Sequence, residues 1–247
     1  KWPKEPVKAL GIYFSYDKHA SERCNFVSKL EQLTRQLHWW KARDLTLLGK
    51  VLIIKSIGLS KFMYAASVLH VPEKVISDVN TELFNFLWNG KVDKIKRNIV
   101  IQDYEYGGLK MSTFDMCIKA AKVKWVQKYL DCSNNARWKT TLEFMAKKQS
   151  LKMFVISNFK LNELPKDLPI YYLDSFLYWK EVKSEDVEMK EDLNNQLVWY
   201  NKNIELGKQT VYCETLRECG LWNANDLYKN GILITYDDWL KNRCKIL

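Results

Sequence analysis

Residues 235–239, Thr-Tyr-Asp-Asp-Trp, hold the one adjacent aspartate pair, a type that could bind two divalent cations. Two-metal sites use such carboxylates for phosphoryl transfer. Polymerases present the pair in a hairpin after a Tyr-x step, whereas here Tyr236 directly precedes Asp237 and Asp238. The acids also stand where a short terminal helix, residues 235–242, is expected to begin. Acidic residues complement the positive end of a helix there, so the pair reads as helix-start charge. Gly49–Lys50 lacks the upstream glycine of a phosphate loop and the Ser or Thr after its lysine. No Ser-His-Asp or Cys-His arrangement can be read from spacing.

The six cysteines form no Cys-x-x-Cys pair, and His19, His38 and His70 lie far apart, so zinc-finger spacing is absent. Free thiols in a reducing, intracellular compartment, nuclear or cytoplasmic, are the expectation. No metal or other cofactor is expected.

The remaining chemistry is that of positive charge. The 247 residues carry 39 Lys and Arg against 29 Asp and Glu, a formal charge of +10. Such a balance favours polyanionic partners. Thirty-three aromatic residues, ten Trp, thirteen Tyr and ten Phe, could stack on bases, although such rings more often fill a core. Of Trp39 and Trp40, one ring is expected to be buried and the other half-covered. The basic residues are spread over several helices, not gathered on one amphipathic face, and no apolar run can span a bilayer, so no membrane partner is expected.

The elements that must position these charges are mainly helical. Gly and Pro are scarce, at nine and five. A strand is expected over Ala9–Ser15. Ser21 can cap a helix whose apolar positions Phe26, Leu30, Leu33 and Leu37 step by three and four. Thr46 can cap the next, and Ser60 can reset a third, with Gly58 weakening the join. Pro72 opens a helix with the stripe Val75, Val79, Leu83 and Leu87, ending at Gly90. The stretch 98–111 reads as a strand or loop turning on Gly107–Gly108, and another helix is expected from Thr113 to Tyr129. A polar break, 132–138, separates a basic region, 21–131, from an α-rich one, 138–247. The latter carries an acidic patch at 181–192. The chain opens inside a strand without Met, which reads as a fragment or a gene product lacking its front.

Residues 45–69 are predicted to be helical and mostly buried. At 100° per residue, Lys50 and Lys61 fall about 20° apart and Lys55 about 140° from Lys50. Two lysines would then share one basic edge of an otherwise apolar helix. That edge could meet a ligand, or the lysine stems could snorkel to water.

Several stretches together resemble the region after the palm of LINE-type (non-LTR) retrotransposon reverse transcriptases. They are "VKALGIYFS", "HWWKARDLTLLGKVLIIKSIGLSKFMYAASVLHVPEKVISDVNTELFNFLWNGK" and "YGGLKMSTF". The pattern is Leu-Gly before a strand, then Trp-x-x-Arg-x-Leu-x-x-x-Gly-Lys at Trp40, Arg43, Leu45, Gly49 and Lys50. Tyr64, Pro72, Phe86, Trp88 and Gly107–Leu109 follow. "LVWYNKNIELGKQTVY" and "CGLWNANDLYKNGILITYDDWLKN" resemble the family's next region. Where a proline is usual after the Gly-Gly-Leu-x-x stretch, this chain has Ser112.

The resemblance implies a residual palm strand at 1–20, a thumb-like helical bundle at 21–131 and an α-rich connecting region at 138–247. It implies no enzyme in this chain, because the family's metal-binding aspartates and its fingers lie upstream. The implied partners are an RNA or RNA–DNA template–primer duplex, gripped by its phosphates, and the missing palm and fingers. On charge and position, the contacts would come from Arg43, Lys50, Lys55, Lys61, Lys91, Lys94, Arg97 and Lys110. Only Arg43 and Lys50 occupy motif positions. The competing expectation is a helical protein-interaction module or an inert remnant, exposing the apolar surface that once met a palm.

Overall fold

In the computed structural model, residues 5–131, 133, 136–145, 151–157, 159–160, 163–164, 168–187, 196–229 and 231–235 are described. The first element is a hairpin, not the expected single strand over Ala9–Ser15. Strand β1 (Val7–Ala9) pairs antiparallel with β2 (Ile12–Phe14). Leu10 and Gly11 turn between them at φ 48° and 80°. Two successive positive φ values match the right-handed twist of a tight hairpin, and glycine at the second position makes it affordable. The expectation missed the turn because Leu10 is a poor signal for left-handed backbone.

Helix α1 (Lys18–Glu22) is capped by Asp17, whose carboxylate accepts from the His19 amide at 2.9 Å. Ser21, the expected cap, instead donates to the Tyr13 carbonyl. The helix continues through a π-helical turn, Arg23–Val27, into α2 (Ser28–Lys41). That turn carries Asn25, almost wholly buried. Its side-chain nitrogen donates to the Tyr13 carbonyl at 2.7 Å, and its oxygen accepts from the Tyr13 amide at 3.0 Å. One amide therefore satisfies both backbone groups of a β2 residue that has no further strand beside it.

Thr46 caps α3 (Leu47–Ile53) as expected, accepting from the Gly49 amide. A second π-helical stretch, Ile54–Leu59, runs on into α4 (Ser60–Ala66). Ser60 resets nothing; its hydroxyl donates back to the Ser56 carbonyl. Gly58 is a point of close packing, since a Cβ there would stand 3.0 Å from Leu83 Cδ2. The π-helical stretch also breaks the 100° step assumed between Lys50 and Lys61. The burial expected of 45–69 holds for one face only. Val51, Ile54, Leu59 and Phe62 are buried, Ile53 is half-buried, and Leu48 and Leu52 are exposed.

Pro72 precedes α5 (Glu73–Leu87), and Val75, Val79, Leu83 and Leu87 are all buried. Asn89 and Gly90, both at positive φ, end it. After α6 (Arg97–Ile101), Gly107 turns the chain at φ 76°. Gly108 then passes so close to the backbone of Gln102 that any Cβ would overlap it. Leu109 and Met111 both donate to the Val100 carbonyl. Helix α7 (Phe114–Leu130) starts where the Asn80 side chain accepts from the Phe114 amide and donates to Asp115.

The chain divides into two compact units, Lys1–Lys122 and Val123–Leu247, and the division falls inside α7. The polar break at 132–138 follows the end of that helix. In the second unit, α8 (Arg137–Met145), α9 (Leu151–Ile156), α10 (Ile170–Val187) and α11 (Glu214–Glu218) surround an aromatic core. Phe154 stacks on Tyr200 and Tyr200 on Tyr212, with centroids 4.5 and 4.6 Å apart. Trp199 is buried and donates to the Leu221 carbonyl. Two small hairpins complete this unit. They are β3 (Glu205–Leu206) with β4 (Gln209–Thr210), and β5 (Tyr228–Lys229) with β6 (Ile232–Leu233). The protein is mainly α, and among the described residues its sheets are only short and two-stranded.

Cys24, Cys117 and Cys213 are free, but Cys219 is disulfide-bonded, which corrects the expectation of free thiols throughout. The acid pair Asp237–Asp238 and the side chains of the acidic patch from residue 183 on lie outside the described residues.

Candidate nucleic-acid interface

Lys50 does not present the exposed basic edge expected for it and Lys61. Lys50 is buried. Its ammonium donates to the Asn89 side-chain oxygen at 2.7 Å and the Leu87 carbonyl at 3.3 Å, and it lies 6.0 Å from the Phe86 ring centre. A cation here satisfies a carbonyl at the C-terminal end of α5 and complements its dipole. Burial, and then the charge of Lys41, push the Lys50 ammonium below its ordinary range. Lys50 is thus a helix-closing residue, which removes it from the expected phosphate contacts. The sequence could not show this, because the partner lies 37 to 39 residues away.

Two others have intramolecular partners at the surface. Arg97 pairs with Asp93 at 2.8 Å and lies over the Phe84 ring at 4.4 Å. Lys110 pairs with Asp103 at 3.0 Å. Both pairs are largely solvated and weak. Arg43 is exposed, with its guanidinium 4.7 Å from the Trp40 ring centre. The Trp pair departs from expectation, since Trp39 is 77% exposed and Trp40 is half-buried beneath that arginine. Lys91 and Lys94 are exposed after α5, and Lys55 and Lys61 are half-buried on the π-helical stretch and α4. Among the described residues, Arg43, Lys55, Lys61, Lys91 and Lys94 therefore pair with no acid.

Some motif residues act as joints. The Tyr64 hydroxyl donates to the Leu10 carbonyl at 2.6 Å, and its ring would lie 3.3 Å from a Cβ at Gly11. The Leu-Gly and Tyr elements of the sequence pattern thus touch each other across 54 positions. Two lysines escaped the sequence reading, Lys8 on β1 and Lys29 on α2. Lys29 stands near both Lys61 and Lys8, and only the tertiary fold brings it to them.

Among the described residues there is no group of three or more His, Cys, Asp or Glu that could hold a metal ion. No described helix is long and apolar enough to cross a membrane.

No family model matches the chain. Over 213 residues, 83% of its length, it is 23% identical to the transposon TX1 uncharacterized 149 kDa protein of Xenopus laevis. The chain spans only 16% of that protein.

Proposed function

We propose that this chain is a non-catalytic segment of a non-LTR retrotransposon reverse transcriptase, and that its first unit is a thumb-like bundle holding a template–primer duplex by its phosphates. The observation that carries the reading is the likeness to a transposon protein along 83% of the chain. Five cations of the first unit with no acid partner among the described residues, Arg43, Lys55, Lys61, Lys91 and Lys94, supply the means. Phosphate contacts of this kind position a duplex without reading its sequence. In this reading polymerisation belongs to palm carboxylates outside this segment.

The test is fluorescence anisotropy with a DNA duplex and an RNA–DNA hybrid, each in two unrelated sequences, across a salt series. Binding should vary little with sequence. With about five contacts, the log–log slope against salt should be about −4 to −5 for B-form DNA. Absence of binding at low salt would overturn the reading. In its place would stand a helical interaction module, which the exposed Leu48 and Leu52 of α3 favour. Primer extension with Mg²⁺ should not occur; extension lost on Asp237→Asn with Asp238→Asn would overturn the non-catalytic part.

A further inference from the structure

Three lysines that no motif joins are brought together by the hairpin and two helices. Lys8 of β1 stands directly across from Tyr13 of β2, and its Nζ lies 5.4 Å from the Tyr13 ring centre. Tyr13 is bound on both backbone groups by Asn25, one helical turn before Lys29. The Leu10–Gly11 turn is held by Tyr64, one turn after Lys61 on α4. The hairpin is therefore tied on one side to the helix bearing Lys29 and at its tip to the helix bearing Lys61.

Lys29 feels the charge of both other lysines. Burial, then Lys61, then Lys8 push the half-buried Lys29 ammonium below its ordinary range. Among the described residues none of the three pairs with a carboxylate. Like charges held together cost the fold stability, and a bound anion would relieve all three at once. Ammonium groups are compact point charges on flexible stems, suited to approaching one tetrahedral anion from several sides. Lys29 also has part of its hydration already removed, so it gives up less on binding.

We propose that Lys8, Lys29 and Lys61 form a single phosphodiester site, in which one phosphate of a nucleic-acid strand is held by three ammonium groups from three elements. This rests on the duplex-holding reading above and names a site within it. A shared phosphate has a consequence that separate contacts do not. Salt dependence counts phosphates neutralised, not lysines. Changing all three lysines to Ala should therefore reduce the slope by about one unit, whereas three independent contacts would reduce it by about 2.7. Lys29→Ala alone should weaken binding about tenfold, and adding Lys8→Ala and Lys61→Ala should cost much less than their separate effects combined. Lys29→Arg, which keeps the charge, should keep the slope. Lys74→Ala, an exposed lysine on α5, should change nothing.

The experiment is the anisotropy salt series on the full chain and these variants, each checked for unchanged helicity by circular dichroism. Inorganic phosphate is titrated in parallel and followed by the Lys29 side-chain NMR signal. A slope reduced by about one in the triple variant supports the site. A reduction near three, or none, overturns it while leaving duplex binding in place. If the parent binds no duplex, the reading above fails separately. The phosphate titration then decides the site: a saturable shift at Lys29 that Lys8→Ala abolishes supports it with free phosphate as the ligand, and no shift overturns it.

Discussion

The Lys50 ammonium stands 2.7 Å from the side-chain oxygen of Asn89, a residue held at φ 56° just past the end of α5. This contact, with the bond to the Leu87 carbonyl, ties the start of α3 to the end of α5. Lys50→Ala should therefore act on stability. A charged hydrogen bond of this kind contributes about 1.5–3 kcal/mol, and its loss leaves the buried Leu87 carbonyl without this donor. Chemical denaturation should show a loss near 2 kcal/mol. The salt slope of duplex binding should not move, because this ammonium is buried against the Asn89 and Leu87 oxygens, out of reach of a phosphate. An unchanged midpoint with a shallower slope would return Lys50 to the surface.

Gly58 and Leu83 make a second sharp relationship. A Cβ at Gly58 would stand 3.0 Å from Leu83 Cδ2, and Leu83 is wholly buried. Gly58→Ala should cost about 1–3 kcal/mol through overpacking, despite the better helix propensity of Ala. Leu83→Ala alone should also destabilise, by leaving a cavity. Together the two should cost less than their sum, because the new methyl fills part of that cavity. A double-mutant cycle by urea denaturation measures the coupling, and strict additivity would mean the helices have shifted apart.

These two cases show what the sequence could and could not tell. The α5 stripe Val75, Val79, Leu83 and Leu87 was legible because one helix face repeats every three to four residues, and all four are buried. The Thr46 cap was legible because its acceptor and donor lie three residues apart. Asp17 displaced Ser21 as the first cap, and the helix it starts passes through a π-helical turn. No local pattern announces such a turn. The candidate site was the least legible part. Charge counts a lysine the same whether it closes a helix, as Lys50 does, or stands unneutralised, as Lys61 does. Lys8 and Lys29 became candidates only once the hairpin was seen tied to two helices. The glycines at 107 and 108 were marked as a turn, but the need for a second glycine came from the backbone of Gln102.

That last contact gives a graded prediction. Gly107 needs its positive φ and has open space around it, whereas Gly108 has no space at all. Gly107→Asn should be tolerated at a cost of a few tenths to about 1 kcal/mol, since Asn accepts left-handed backbone. Gly108→Ala should force the loop off the Val100 and Gln102 carbonyls and cost well over that amount. Hydrogen exchange at the Leu109, Lys110 and Met111 amides should report it directly. Equal protection in both variants would show that the loop can relax around the methyl.

Glu143 makes the second unit sensitive to pH. Its carboxylate accepts from the Tyr129 hydroxyl and from the Leu151 amide at 3.4 Å. Burial raises its pKa above the ordinary carboxylate value, and the Leu151 bond and the Arg217 charge only partly offset that. A carboxyl raised in the folded state binds a proton more tightly there than in the unfolded chain. Its contribution to stability is fully present below the unfolded value near 4.5 and is lost as pH rises through the folded one. Glu143→Gln cannot ionise and should lose no such contribution. The measurement is the denaturation midpoint of parent and variant from pH 4 to 7, followed by the fluorescence of tryptophans including the buried Trp199. Other carboxylates titrate alike in both proteins, so the difference between them isolates Glu143. The variant should gain on the parent as pH rises through that window. A constant difference, or one moving the other way, would mean that the Tyr129 and Arg217 side chains hold the charged form at no cost.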